Sequence, residues 1–412
     1  MSRRLSVLAL NCGSSSVKFQ LVELEERGGP PDPGRRVLSG CIDRFGPEAV
    51  TVIRGRGAPE RTTSPVPDHE TAVGHAVAAA ARAVASIQAV GHRVVHGGER
   101  FMASTLVDDQ VVAAIETMEE LAPLHNEPGL AGIRGARRAL GSGVPMAAVF
   151  DTTFHATLPP RAASYAIPPG IAARHGIRRF GFHGTAYRHL LARYCGLAGV
   201  PPEGATLVAL HLGSGASAAA IRNGECVDTS MGLTPLEGLV MGTRAGDIDA
   251  SVVPLLARRA GMSLAEVDRL LHLESGLLGL SGRTADMRDL LEREAADPRA
   301  RLAVDLFCYR ARKYLGAYLA ALGGADAVVF SGGIGENAPE VRARIAGGMA
   351  WCGLELDPWR NRRIVGREGE IGAAGAPLRA LVIPADEGIV IARDTAALVF
   401  AAGGRGQEGS RA

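Results

Sequence analysis

The chain has 412 residues, 47% of them apolar, with 45 basic against 43 acidic side chains and a formal net charge of +2. That length and apolar share suffice for two domains with a core each. The near-neutral balance gives no sign of a nucleic-acid or membrane surface, so any anionic ligand has to be gripped locally. The six cysteines (Cys12, Cys41, Cys195, Cys226, Cys308, Cys352) form no CxxC pair and have no His at metal-ligand spacing. They read as buried, reduced thiols of a cytoplasmic protein. The N-terminal apolar run fits neither a signal peptide nor a membrane span. Basic residues are Arg almost throughout, the only lysines being Lys18 and Lys313, so a lysine beside a Gly/Ser turn stands out.

In chain order, the apolar run Leu5–Leu10 predicts a strand, and Phe19–Leu24 a second one across the turn 11–18, NCGSSSVK. Asn11 and Lys18 flank that turn; Lys meets phosphate as a compact point charge, and Asn can hold a metal-bound water. The Pro/Gly-rich stretches 26–36 and 54–67 read as surface loops without chemistry. An Ala-rich helix is expected over 71–87, then a strand over 89–96 that carries Arg93 and His96 at its end, where open α/β sheets collect ligands. Helical spacing returns over 109–121. Leu124-His125-Asn126 enters a turn, a helix follows over 130–140, and a strand over 144–150 delivers Asp151. Residues 158–170 read as a crossing between domains, and 178–185 place His183 between glycines and aromatics.

The central stretch is 207–249. A buried strand breaks at Gly213-Ser214-Gly215-Ala216-Ser217, resumes, and turns at Asn223-Gly224, a strong hairpin signal. A Gly/Ser turn between strands leaves backbone N–H groups free to face an anion. Because 5–24 shows the same strand, turn, strand order, the chain reads as internally duplicated. Arg244 follows among carboxylates and glycines, and an Arg fork suits carboxylate or phosphoryl oxygens. Ser263-Leu264-Ala265-Glu266 is a capping box. A long helix over 299–322 is expected to turn Leu302, Phe307, Tyr314 and Leu319 toward a core. The strand 326–330 runs into Ser331-Gly332-Gly333-Ile334-Gly335-Glu336-Asn337, a third phosphate-suited turn, with Pro339 opening a helix. A strand over 381–384, the acidic turn 385–387 and a helix over 388–400 close the chain.

Seven of these blocks, NCGSSSVK, GHRVVHGGERF, FDTTFH, RRFGFHGT, HLGSGAS through MGTRAGDID, DMRD and SGGIGEN, occur in the order that resembles the acetokinase family, from Leu5 to Thr395. The resemblance implies an α/β fold of duplicated actin-like ATPase (ribonuclease-H-like) domains around a central interdomain cleft. Its implied domains are 1–155, with 386–402 packing back on it, and 156–385, the nucleotide-binding and dimerisation domain; the tail 403–412 is polar and by that composition is expected to be disordered. It implies reversible transfer of the ATP γ-phosphoryl to acetate, giving acetyl phosphate and ADP, in a cytoplasmic homodimer without nucleic-acid or membrane partners. Mg²⁺, or Mn²⁺ in its place, would be the metal.

Carried over residue by residue, Arg93 and Arg244 match the arginines that hold the carboxylate and the moving phosphoryl. His183 matches the donor to an equatorial phosphoryl oxygen. Asp151 matches a carboxylate described as a proton donor or acceptor, although its placement favours orienting Arg93 or a metal-bound water. Asn11 and Glu387 match the metal positions. Lys18, His211, Leu212, Gly213, Ser214, Gly215, Asp286, Met287, Arg288, Gly333, Ile334, Gly335, Glu336 and Asn337 match the ATP contacts. Val95, Leu124, Phe182 and Pro235 match the acyl pocket. The chain departs from the family pattern at Ser214, at Glu127, at Ala186-Tyr187 and at Asp386-Glu387-Gly388. Two alternatives stay open: a propionate, butyrate or pyrophosphate-dependent kinase, and a non-catalytic actin- or chaperone-like ATPase switch. The latter leaves Arg93, His183 and Arg244 without a task.

Overall fold

The computed structural model describes residues 3–27, 32–118 and 123–408, which divide into two compact units, Met1–Thr153 with Asp386–Ala412, and Phe154–Ala385. The first unit holds β1 (Arg4–Cys12), β2 (Ser16–Glu25), β3 (Arg35–Asp43), β4 (Gly46–Arg54), β5 (Glu60–Val66), β6 (Ala89–Val94), β7 (Thr105–Leu106) and β8 (Met146–Phe150). Their order is β5-β4-β3-β2-β1-β6-β8-β7. β1 is antiparallel to β2, with Asn11 opposite Lys18, and parallel to β6, which is itself parallel to β8. Residues 5–10 of β1 are buried on both faces, as a central strand requires. The helices His69–Ala81 and Pro123–Leu140 cover one face of the sheet over Leu8, Leu10 and Leu21, and the helix Glu387–Glu408 covers the other over Val7, Ala9 and Val149.

The second unit repeats this plan with β9 (Thr206–Leu212), β10 (Ala216–Arg222), β11 (Glu225–Thr229), β12 (Ala327–Ser331), β13 (Gly369–Glu370) and β14 (Arg379–Val382), ordered β11-β10-β9-β12-β14-β13. Again a three-strand antiparallel meander sets its first strand parallel to two later ones. The shared order, β3-β2-β1-β6-β8 against β11-β10-β9-β12-β14, is the duplication anticipated from the repeated turns, in the ribonuclease-H-like arrangement that the resemblance implies. Asn223 and Gly224 both take positive φ, 53° and 81°, closing the β10–β11 hairpin as the dipeptide predicts. The helix Gly184–Ala198 covers one face of this sheet and Pro298–Leu322 the other.

Four local expectations are corrected. Residues 60–66, read as loop, form the edge strand β5; an edge strand pairs through its backbone on one side only, so its polar composition hides it. Leu124-His125-Asn126, read as a turn, lies in the helix Pro123–Leu140, which accommodates Pro128. Leu302 is 55% exposed, whereas Phe307 and Leu319 are buried. The closing helix runs to Glu408, beyond the point where a disordered tail is expected; Arg3 packs against Gly403, donates to the Phe400 carbonyl at 3.4 Å and sits over the Phe400 ring. Residues 409–412 lie outside the described residues. No helix among the described residues is long and apolar enough to cross a membrane.

Candidate active site

In the first unit the chemistry-bearing residues stand at the carboxyl ends of three adjacent parallel strands. Asn11 is next to the last residue of β1, Arg93 is at the same position of β6, and Asp151 follows β8. The Arg93 guanidinium spans all of them. Its Nε donates to both Asp151 oxygens at 3.1 Å, its Nη2 to Asp151 Oδ2, and its Nη1 to Asn11 Oδ1 at 3.2 Å. Glu387, first residue of the closing helix, accepts from Asn11 Nδ2 at 2.7 Å and lies 3.5 Å from Arg93 Nε. Burial works against the Arg93 charge, but the Asp151 and Glu387 carboxylates and the Asp151 bonds outweigh it, and its pKa is raised. Asp151 is fully buried and clasped by one fork, which is the geometry of an orienting carboxylate. Beneath them, burial pushes the Cys12 thiol up to about 12, against a smaller pull from Arg93.

Nearby, Asn126 holds the strand exit: its Oδ1 accepts from His96 N at 3.0 Å and its Nδ2 donates to His96 O at 3.2 Å. Val95 is buried and Lys18 exposed. The Leu124 side chain lies outside the described residues.

In the second unit two glycine turns leave the carboxyl ends of neighbouring parallel strands, β9 and β12, whose register sets His211 beside Ser331. They come close: a Cβ placed on Gly213 would lie 3.9 Å from Gly333 N, and one on Gly332 would meet the Leu212 backbone at 2.6 Å. The short helix Gly332–Asn337 starts at the second turn. Glu336 ties it down from inside, its Oε1 accepting from Gly332 N at 3.0 Å and Ala385 N at 3.1 Å. Asn337 Nδ2 donates to Gly333 O at 2.9 Å. Of the matched nucleotide positions, Leu212 and Met287 are buried side chains, so only their backbones can face a ligand. Asp286 caps the helix Met287–Arg293 through Arg288 N at 2.9 Å and pairs with the exposed Arg288 guanidinium.

His183 and Arg244 belong to the same unit and face one small volume. A Cβ on Gly215 would lie 2.7 Å from Arg244 Nη2 and 3.4 Å from His183 Nε2. His183 takes a left-handed conformation, φ 60°, at the head of the helix Gly184–Ala198, the kind of local strain that collects at functional positions. Its Nδ1 is 2.8 Å from Ser217 Oγ, which is 2.6 Å from the Tyr187 hydroxyl. Ser217 and Tyr187 are fully buried, so this pair fixes the ring and turns Nε2 toward Gly215. Arg244 Nη1 donates to Pro235 O at 2.7 Å. Its loop is braced by Asp247, which accepts from Gly238 N at 2.8 Å and the Tyr314 hydroxyl at 2.9 Å and pairs with Arg310 at 3.2 Å. Phe182, next to His183 in sequence, and Pro235 are buried.

The profile of the acetokinase family matches residues 6–393. The chain belongs to the acetokinase family. It is 49% identical over 403 residues to the acetate kinase of Solibacter usitatus, covering 95% of this chain and 97% of that one. A crystal structure of Porphyromonas gingivalis acetate kinase superposes with TM-score 0.84 at 37% identity, over 96% of this chain and all of that one. A propionate kinase from Francisella tularensis gives TM-score 0.85 at 34% identity, over 96% and 100%. As an acetokinase the chain is a phosphotransferase with a carboxyl group as acceptor. Sequence reasoning did not find Ser217, Tyr187 and Asp247. Tyr187 had a signal, standing four residues after His183 and hence on the same helix face; the two others are ordinary polar residues whose partners lie far along the chain.

Proposed function

We propose that this acetokinase transfers the γ-phosphoryl of ATP to acetate, giving acetyl phosphate and ADP, with Arg93, His183 and Arg244 as the groups that meet the reacting anions. A short carboxylate is ionised at pH 7 and needs no general base. Its oxygen attacks the γ-phosphorus, the bond to the β,γ-bridging oxygen breaks, and the electron pair leaves with ADP. The obstacle is charge: two anions about 4 Å apart repel by about 4 kcal/mol at an effective dielectric constant near 20. Cations held in place in advance remove that cost without reorganising. Arg93, fixed by Asp151, takes the carboxylate. His183 Nε2 and Arg244 Nη2 take equatorial phosphoryl oxygens, and the paired glycine turns cradle the remaining phosphates. The observation that carries this reading is that His183 and Arg244 face the same volume at Gly215, beside a Gly/Ser turn.

Mg²⁺ suits the first-unit cluster. Asn11 and Glu387 offer hard oxygen donors side by side. No group of three or more His, Cys, Asp or Glu that could cage a metal occurs among the described residues. Bound there, it would neutralise phosphate charge; Glu387 and Asn11 would hold it. We further propose a homodimer. The likeness to a propionate kinase favours a second reading, propionate as acceptor, since one methylene is worth only about 1–3 kcal/mol in a pocket. Trapping acyl phosphate as hydroxamate, with acetate, propionate and butyrate against ATP and pyrophosphate, tests both. Acetate with ATP should give the highest kcat/KM; a higher value with propionate selects the second reading, and activity with pyrophosphate alone overturns ATP as donor.

A further inference from the structure

Two consecutive carboxylates open the closing helix, and the strands beneath them treat the two differently. Glu387 is received by Asn11 of β1 and Arg93 of β6. Asp386 is received by the next two strands: its Oδ1 accepts from Gln20 Nε2 of β2 at 2.7 Å and, more weakly, from Ile389 N at 3.4 Å, while its Oδ2 is paired with Arg36 of β3. Residues 26–36, read from sequence as a loop without chemistry, thus end in a side chain that reaches the head of this helix. Gln20 bears a cost to hold its place, because its Oε1 is buried with no partner; the acceptor Asp386 dictates which end of the amide faces it. Room for that amide exists only because residue 388 is Gly. A Cβ there would collide with Gln20 Cδ and lie 2.8 Å from both Cγ and Nε2.

We propose that Gln20, Arg36, Asp386 and Gly388 form a clamp that positions Glu387 for the divalent cation, with Asp386 a positioning residue rather than a ligand. Arg36 pairs with Asp386 and draws that carboxylate toward β3, while Glu387 is received by Asn11 and Arg93. Gln20 and the helix-capping bond fix the backbone one residue before Glu387, which sets the direction in which its side chain leaves toward Asn11. This rests on Glu387 as a metal-linked residue.

The test is Mn²⁺ binding to the full-length enzyme with ADP, read by the loss of free-Mn²⁺ electron paramagnetic resonance signal. Gly388→Ala changes no charge, yet it displaces Gln20. It should weaken Mn²⁺ about fivefold or more, leave KM for acetate within about twofold, and leave thermal unfolding near wild type. Gln20→Ala, which removes the bond to Asp386 without any collision, should weaken Mn²⁺ in the same direction. Glu387→Gln is the control. If it binds Mn²⁺ as wild type does, the metal reading itself fails and the clamp with it. If Glu387→Gln is weakened but Gly388→Ala is not, the clamp alone is overturned; Gln20→Ala binding Mn²⁺ as wild type does overturns it too.

Discussion

Arg93 and Arg244 are restrained by opposite means. Arg93 is locked to a fully buried Asp151, and removing that carboxylate would leave a buried cation without its main partner, at about 3–5 kcal/mol. Arg244 donates to the Pro235 carbonyl from a loop braced by Asp247. The volume it shares with His183 exists because residue 215 lacks a side chain. Gly215→Ala should therefore lower kcat about a hundredfold or more with thermal stability nearly unchanged, and wild-type turnover in that variant would remove the shared volume from the mechanism. His92, behind Arg93 on β6, has a different part. Both its ring nitrogens are buried without partners, and burial, with a smaller push from Arg137, pulls its pKa down to about 3. The unfolded chain, with an ordinary His, takes up the proton first as pH falls. Stability attached to neutral His92 is thus complete above about pH 6.5 and lost toward pH 3, at up to about 1.4 kcal/mol per pH unit. His92→Leu should flatten the fall of the urea midpoint below about pH 6.5; an unchanged slope would contradict this.

At the level of elements, the glycine turn at 331–337 is stapled from behind. Arg342 is buried and makes no ion pair among the described residues. It spends its donors on Gly335 O at 2.8 Å, Glu336 O at 3.1 Å, Asn361 Oδ1 at 2.8 Å, Asn361 O at 2.7 Å and Ile364 O at 2.7 Å. The bonds to Gly335 and Glu336 satisfy carbonyls near the C-terminus of the turn's own helix, where a cation also meets the helix dipole. Arg342→Met should cost about 3 kcal/mol in urea unfolding and raise KM for ATP more than KM for acetate; equal changes in both would reduce Arg342 to a general stability role. Elements with strong periodicity or capping were legible in the sequence: β1, β9, the hairpin at Asn223-Gly224 and the capping box at Ser263, which forms as expected. Elements held by distant partners were not. The edge strand β5 carries no apolar alternation, Pro128 imitates a helix end, and Arg36 shows its task only once β3 is laid beside the closing helix.

On the scale of the whole molecule, one plan used twice divides the labour. The carboxyl ends of β1, β6 and β8 gather an oxygen-rich, cation-bridged cluster suited to a metal and a carboxylate. The corresponding ends of β9 and β12 gather backbone amides and two side chains suited to phosphates. Repetition was readable from the matching turns at 11–18 and 211–217; the hydroxyl pair behind His183 was not, since it joins positions thirty residues apart. The most direct measurement is acetyl phosphate formation from ATP and acetate, trapped as hydroxamate, by wild type, Arg93→Ala and Arg244→Ala, alongside ADP affinity of each. The expected result is a rate about a thousandfold lower in both variants with ADP binding within a few-fold of wild type. Variants that make acetyl phosphate at the wild-type rate would contradict the assignment of these two cations to the reacting anions.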